Sequence, residues 1–141
     1  MTDSPIDLST LMPFAQTLGV ELVAASPDEV RARVHWHERL CTAGGVLHGG
    51  ALMALADTTG ALCAYLNVPD GASTTTIESK TNLLRAVTAG HVDAASRPLQ
   101  RGRRIIVVET DLIDGDARLI ARVTQSQLVL ALSFVVSAQD L

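Results

Sequence analysis

Aromatic residues are almost missing from this chain. Phe14, Trp36, Tyr65 and Phe134 are the whole set. A stacking platform for single-stranded nucleic acid needs more rings than that, and the core has to be built from Ala, Val, Leu and Ile. Cysteine is as sparse, with only Cys41 and Cys63. No CxxC and no Cys/His spacing of a zinc site occurs. His35 and His37 alternate as His-x-His, but no further ligand stands near them, so no metal is expected. Two isolated thiols suit a reducing compartment, and a cytoplasmic location is expected. The stretch MTDSPIDLSTLMPF shows no basic start followed by an apolar core, so no secretory signal is read in it. The longest apolar run, Ala51 to Leu66, carries Asp57 and is short for a membrane span, so no membrane partner is expected.

What is present points to an ordinary core. Of 141 residues, 48% are apolar and 18% charged, which excludes a disordered chain. The length suits one domain over residues 1–141. The formal charge of −4 disfavours a nucleic-acid partner bound through a basic surface. The basic residues are unevenly placed, however: Arg97, Arg101, Arg103 and Arg104 fall close together. They read either as a solvated face or as a site for a small phosphorylated ligand.

Periodicity gives the elements. Apolar residues at 6, 8, 11, 12 and 15 predict a short amphipathic helix over Ile6 to Thr17. Gly19 to Ala25 and Val30 to Trp36 read as strands, the second alternating with Arg31, Arg33 and His35. Residues 49 to 67 form one long helix, ended by the turn Pro69-Asp70-Gly71. Strands follow over Thr74 to Leu84, His91 to Leu99 and Ile105 to Ile113. A hairpin turn at Asp114-Gly115-Asp116 leads to Ala117 to Ser126, and Gln127 to Ala138 extends that strand or adds another. The expected fold is α+β, an antiparallel sheet in a meander packed on one long helix. A helix this apolar cannot face water on its far side, so the sheet wraps around it or a second copy covers it.

Two features of that helix stand apart. Asp57 is an isolated carboxylate in an apolar run, with no Lys or Arg three or four residues away. It either braces something local, lies on an exposed stripe with Thr58, or is kept for acid–base or nucleophilic chemistry. Gly49 and Gly50 open the helix, where free N–H groups and the dipole favour a developing anion. They could equally serve a tight turn or close packing on the sheet. Gly49 and Asp57 are eight residues apart, or roughly 12 Å at about 1.5 Å per residue. One helix cannot bring both to a single carbonyl. Two antiparallel helices related by a two-fold can, which would give a homodimer with two identical sites.

Gly45-Val46-Leu47-His48-Gly49-Gly50, followed by Leu52, Leu55 and Asp57, resembles the acyl-CoA thioesterases of the hotdog fold. The branch it resembles is that of phenylacetate-degradation and 4-hydroxybenzoyl-CoA thioesterases. The stretches TTTIESKTNLLRAVTAG and QRGRRIIVVETDLID resemble the same family, and the likeness covers about residues 19–126. The resemblance implies a sheet wrapped around a central helix, and hydrolysis of an acyl-CoA thioester without a cofactor. It implies Asp57 as general base or nucleophile and the Gly49 N–H as donor to the thioester oxygen, with Gly50 in support. It implies His48 as a residue that shapes the loop and orients the thioester. Six residues before the His the family often carries Asn or Gln, where this chain has Thr42. A Ser or Thr on the following strand often assists from the other subunit, which matches Thr76, with Thr75 beside it. Arg103 and Arg104 match the place where relatives hold the coenzyme A nucleotide, with Arg85 and the preceding Asn82 as further candidates. The resemblance also implies a homo-oligomer, a dimer or a dimer of dimers. Small residues at Ala54, Ala61, Cys63 and Ala64 are expected to leave room for the acyl group. Two other readings stay open: a non-catalytic acyl-CoA-binding or regulatory protein, and a hydratase or dehydratase of the same fold.

Overall fold

The computed structural model describes residues 5–131. The predicted N-terminal helix is two short ones, α1 (Leu8–Leu11) and α2 (Pro13–Leu18). The break is at Met12, which sits at φ −136°, ψ 84° before Pro13. A proline disfavours the α region for the residue ahead of it and is at home as the first residue of a helix. The Asp7 side chain caps α1 by accepting from the Ser9 N–H at 3.1 Å. Gly19, at φ 74°, ends α2 in the left-handed region that glycine tolerates.

Strands β1 (Glu21–Ala25) and β2 (Val30–His35) come next. After short 3₁₀ turns at Glu38–Leu40 and Ala43–Gly45, the long helix α3 runs over Gly49–Tyr65. Strands β3 (Ser73–Leu83), β4 (His91–Arg101), β5 (Ile105–Asp114) and β6 (Leu119–Leu130) complete the described chain. The stretch from Gln127 to Leu130 therefore continues β6, and residues 132–138 of that reading lie outside the described residues. All pairings are antiparallel, in the order β1-β2-β4-β5-β6-β3. This corrects the simple meander. β3 is not bonded to its sequence neighbour β4 but crosses to the far edge and pairs with β6. The connection after β3 is tied down on its way, with the Leu84 N–H on the Ile120 carbonyl and the Leu47 N–H on the Val87 carbonyl. Strands β2 to β6 all pack on α3, so the sheet curls around the helix.

The inner face of the sheet holds two apolar clusters along α3. One joins Leu52, Leu55 and Ala56 to Val34, Val92, Leu112 and Val123. The other joins Leu62, Cys63 and Ala64 to Val30, Ile106 and Val108. Each fully buried leucine is worth about 1.5–3 kcal/mol of transfer free energy. Between the clusters, on each element in turn, stand buried polar residues: Thr59, Ser96, Thr110 and Gln125, with Gln127 beyond. Among the described residues no helix is long and apolar enough to cross a membrane.

The outer face of the sheet carries ion pairs. Arg33 donates from Nε to Asp93 Oδ1 at 2.6 Å and from a terminal nitrogen to Oδ2 at 3.1 Å, tying β2 to β4. That hydrogen bonding holds the Asp93 carboxyl below its usual range. A carboxylate with a lowered folded-state pKa stabilises the fold above its unfolded value near 4, and the gain is lost as pH falls through the folded value. Arg33→Gln is therefore expected to melt a few degrees below wild type at neutral pH, with the gap closing below about pH 4. Thermal melts of both proteins across that range check it.

Candidate active site

His48 caps α3. Its Nδ1 accepts the Gly50 N–H at 2.7 Å, and its backbone N–H donates to the Leu40 carbonyl at 2.8 Å. The loop before it is set by local bonds. Trp36 Nε1 donates to the Gly45 carbonyl at 2.9 Å, the Thr42 N–H donates to the Val46 carbonyl at 2.8 Å, and Cys41 bridges Leu47. Gly44 and Gly45 lie at φ 79° and 73°, which a side chain rarely adopts. Thr42 is exposed at the start of the second 3₁₀ turn, and its side chain makes no capping bond.

The two glycines of the helix start now differ. The Gly50 N–H is committed to His48, so its expected support of an anion is taken up by the cap. For the Gly49 N–H no acceptor is found among the described residues. As the first residue of α3 it has no partner within the helix either. A methyl group at Gly49 would come within 2.7 Å of Leu83 Cδ1, the far end of an exposed side chain.

Asp57 lies two turns further along. Within the chain it is exposed, not buried, on an open stripe with Gly50, Met53 and Tyr65. Thr58 is not its companion there, since it is nearly buried. The stripe is apolar apart from the carboxylate. Asp57 Oδ1 accepts two hydrogen bonds, from Thr76 Oγ1 at 2.8 Å and from Gln125 Nε2 at 2.7 Å. Thr76 Oγ1 in turn accepts from Gln127 Nε2 at 2.7 Å. Oδ2 has no partner among the described residues. Thr76 thus serves the Asp57 of its own chain, while Thr75 lies on the other face of β3 and is exposed.

A β-bulge aims that threonine. Thr76 pairs with Gln127 and Glu78 with Ser126, leaving Ile77 unpaired. The extra residue shifts the alternation of β3 at the place where it passes Asp57, as bulges beside functional sites do. Gln125 and Gln127 escaped the reading of the sequence. Their signal was there: two amides at alternate positions of a strand whose inward set is otherwise Ala121, Val123 and Val129.

The basic candidates separate into two groups. Asn82 and Arg85 bracket Leu83-Leu84, and Leu83 abuts Gly49 at the N-terminal end of α3. Asn82 Oδ1 accepts from Lys80 Nζ at 2.9 Å, and Arg85 is exposed. Arg103 lines a cavity of about 540 Å³ with Asn67, Asp70, Gly71 and Arg101, at the other end of the helix. Arg104 beside it is exposed. Seventeen helical residues separate the two ends, or about 25 Å at 1.5 Å per residue. Arg97 and Arg101 are tied up in ion pairs with Glu29 and Asp28. His35 faces Glu21, and His37 Nδ1 accepts the Arg39 N–H.

Of the small residues expected to leave room for a ligand, Cys63 and Ala64 are fully buried in the core instead. Burial pushes the Cys63 thiol up to about 11, so it is no nucleophile near neutral pH. Ala54 does face a recess of about 220 Å³ beside His48 and Gly50, walled by Phe14, Leu18, Leu40 and Cys41, with Arg39.

Comparison with known proteins bears on the family and the fold. Residues 44–121 match the family described as the thioesterase superfamily. A Mycobacterium tuberculosis protein named "Putative esterase" is 31% identical over 123 residues, 85% of this chain and 88% of the relative. The proofreading thioesterase EntH of Cronobacter turicensis is 30% identical over 118 residues, 84% of this chain and 86% of its own length. Among solved structures, a thioesterase from Haemophilus influenzae superposes with a TM-score of 0.83 at 29% identity, covering 92% of this chain and 94% of that one.

Proposed function

Given that the chain belongs to the thioesterase superfamily and is a thioester hydrolase of the hotdog fold, we propose that it hydrolyses acyl-CoA thioesters at a site shared by two copies. One copy contributes the Gly49 N–H and the other Asp57. The observation that carries this reading is the state of the two groups on α3. Among the described residues the N–H at its start is unclaimed, and the carboxylate two turns on is held by one oxygen and left open at the other.

The thioester oxygen accepts from the Gly49 N–H, where the helix dipole favours the charge that grows on it. Oδ2 of the partner copy's carboxylate either takes a proton from water, whose oxygen adds to the carbonyl carbon, or attacks that carbon itself. In both routes the carbon–sulfur bond breaks and coenzyme A leaves as a thiolate; in the second, water then cleaves the acyl–Asp57 anhydride, which releases the acid and restores the carboxylate. A thiolate leaves readily, so no strong general acid is needed. The chemistry calls for no cofactor and no metal.

A second copy is supported by two exposed features. The stripe holding Gly50, Met53 and Asp57 is uncovered in one chain, and β3 is an eleven-residue edge strand with Ile77 55% exposed. A long unprotected edge is a template for pairing. An antiparallel pair of α3 helices would also bring Asn82 and Arg85 of one copy toward the same end as Arg103 and Arg104 of the other. Guanidinium groups there suit the phosphates of coenzyme A. The recess beside Ala54 is the place for part of the acyl group.

A panel of acyl-CoA thioesters, straight-chain and aryl, tests the reading by thiol release. Free coenzyme A and free acid in equal amounts are expected, with no hydrated product. Binding of the panel without thiol release would instead make the protein a sensor, and a hydrated product would make it a hydratase.

A further inference from the structure

Two glutamines lie buried in the core under Asp57, and nothing in the reaction as written above uses them. Gln125 is 1% exposed and Gln127 is fully buried. We infer that both are positioning residues, whose amides aim the Asp57 carboxylate so that Oδ2 is the oxygen offered to the reaction. The inference rests on the reading of Asp57 given above.

The direction of every bond supports it. A carboxylate oxygen only accepts, so the Gln125 group facing Oδ1 at 2.7 Å is its NH₂ end. The Thr76 hydroxyl has one proton and gives it to the same Oδ1. Its oxygen is then free to accept from Gln127 Nε2. The chain of donors runs one way, from Gln127 through Thr76 to Asp57, and Gln125 closes on the same atom. Oδ1 is doubly held, which fixes the plane of the carboxylate.

The arrangement is costly to the fold. Neither Gln125 Oε1 nor Gln127 Oε1 has a partner among the described residues. A buried acceptor left without a donor destabilises the fold, whereas an apolar residue of the same shape would not. Helix α3 also makes room for the amide. At Gly60, nearly one turn from Asp57, an added Cβ would overlap Gln125 Oε1. A core built for stability alone would carry a leucine on β6 and an alanine on the helix. This one keeps two half-satisfied amides, one with its donor end on Asp57 and the other with its donor end on Thr76.

The test uses the full chain and the acyl-CoA it turns over fastest. Gln125→Met keeps the volume and removes the donor. Its kcat is expected to fall by about 10–100-fold, the scale of a small misplacement of a reacting group. KM is expected within about threefold of wild type, and Tm unchanged or higher because an unpaired oxygen is gone. A purely structural glutamine would give the opposite: a lower Tm, with kcat per folded molecule intact, and that result overturns the inference. Gln127→Met, which loosens Thr76 and spares the Gln125 bond, is the second variant should the first not fold. It is expected to lower kcat by roughly 3–10-fold with the same constant KM, and wild-type kcat in it would count equally against the inference. Asp57→Asn run alongside separates the two failures. If it turns over normally, the reading of Asp57 falls. If it is dead while both methionine variants work as wild type, only the role of the glutamines falls.

Discussion

Asp57→Asn is expected to fold and melt like the wild type and to lose turnover by about 10²-fold or more. The substitution is nearly isosteric, and an asparagine carbonyl can still accept from Thr76 Oγ1 and Gln125 Nε2 at the place where Oδ1 now accepts. The side chain keeps its seat, and only the open end changes, from a carboxylate oxygen to an NH₂ group that can neither take a proton nor attack. KM should therefore move little while kcat collapses. Steady-state kinetics with a thermal melt on the same preparation check both halves. A kcat close to wild type would remove Asp57 from the chemistry and the proposed mechanism with it.

Gly49→Pro is expected to fall as far, by about 10²–10³ in kcat, the usual loss on removing one oxyanion donor. Proline is a suitable probe because it deletes the N–H at a position where helices tolerate it. Gly49 is the first residue of α3, and His48 at φ −62°, ψ 135° already has the extended conformation that precedes a proline. The ring must displace Leu83 Cδ1, which is the mobile end of an exposed side chain. The two inactive variants also test the sharing of the site. Co-expressed, they form mixed dimers in which one copy keeps Gly49 and the other keeps Asp57. Random assortment makes half the dimers mixed, each with one complete site of two, so about a quarter of wild-type activity should return. A site contained in one chain would stay dead in the mixture, and so would a monomer.

Much of this is legible in the sequence alone. The long helix declares itself through an apolar run free of proline until Pro69, and through the turn Pro69-Asp70-Gly71 that stops it. The eight-residue spacing of Gly49 and Asp57 already implies that one helix cannot close on one carbonyl. The rest depended on contacts that periodicity does not encode. The β-branched residues of Thr74 to Leu84 announce a strand but not its neighbour, and β3 pairs with β6 rather than β4. Apolar spacing over Ile6 to Thr17 predicts one helix, yet the Pro13 ring forces Met12 out of the helical region and makes two helices of one. A pair of helix-opening glycines looks symmetrical in the sequence. Only the His48 ring distinguishes them, by occupying the Gly50 N–H. Gln125 and Gln127 were overlooked because a strand reading counts apolar residues and passes over amides. Gly60 was passed over because a glycine inside a helix reads as a defect until the atom it makes room for is seen.

The unpaired Ile77 bears on any attempt to re-engineer the protein. The residues on either side of it, Thr76 and Glu78, face consecutive partners on β6, so excising Ile77 would leave a continuous ladder with no other residue changed. By every measure of strand regularity the shortened chain would be the better sheet. It would also straighten the segment that presents the threonine to the acid. Automated idealisation would thus discard this residue first, and would deliver a sturdier scaffold that had forgotten its trade.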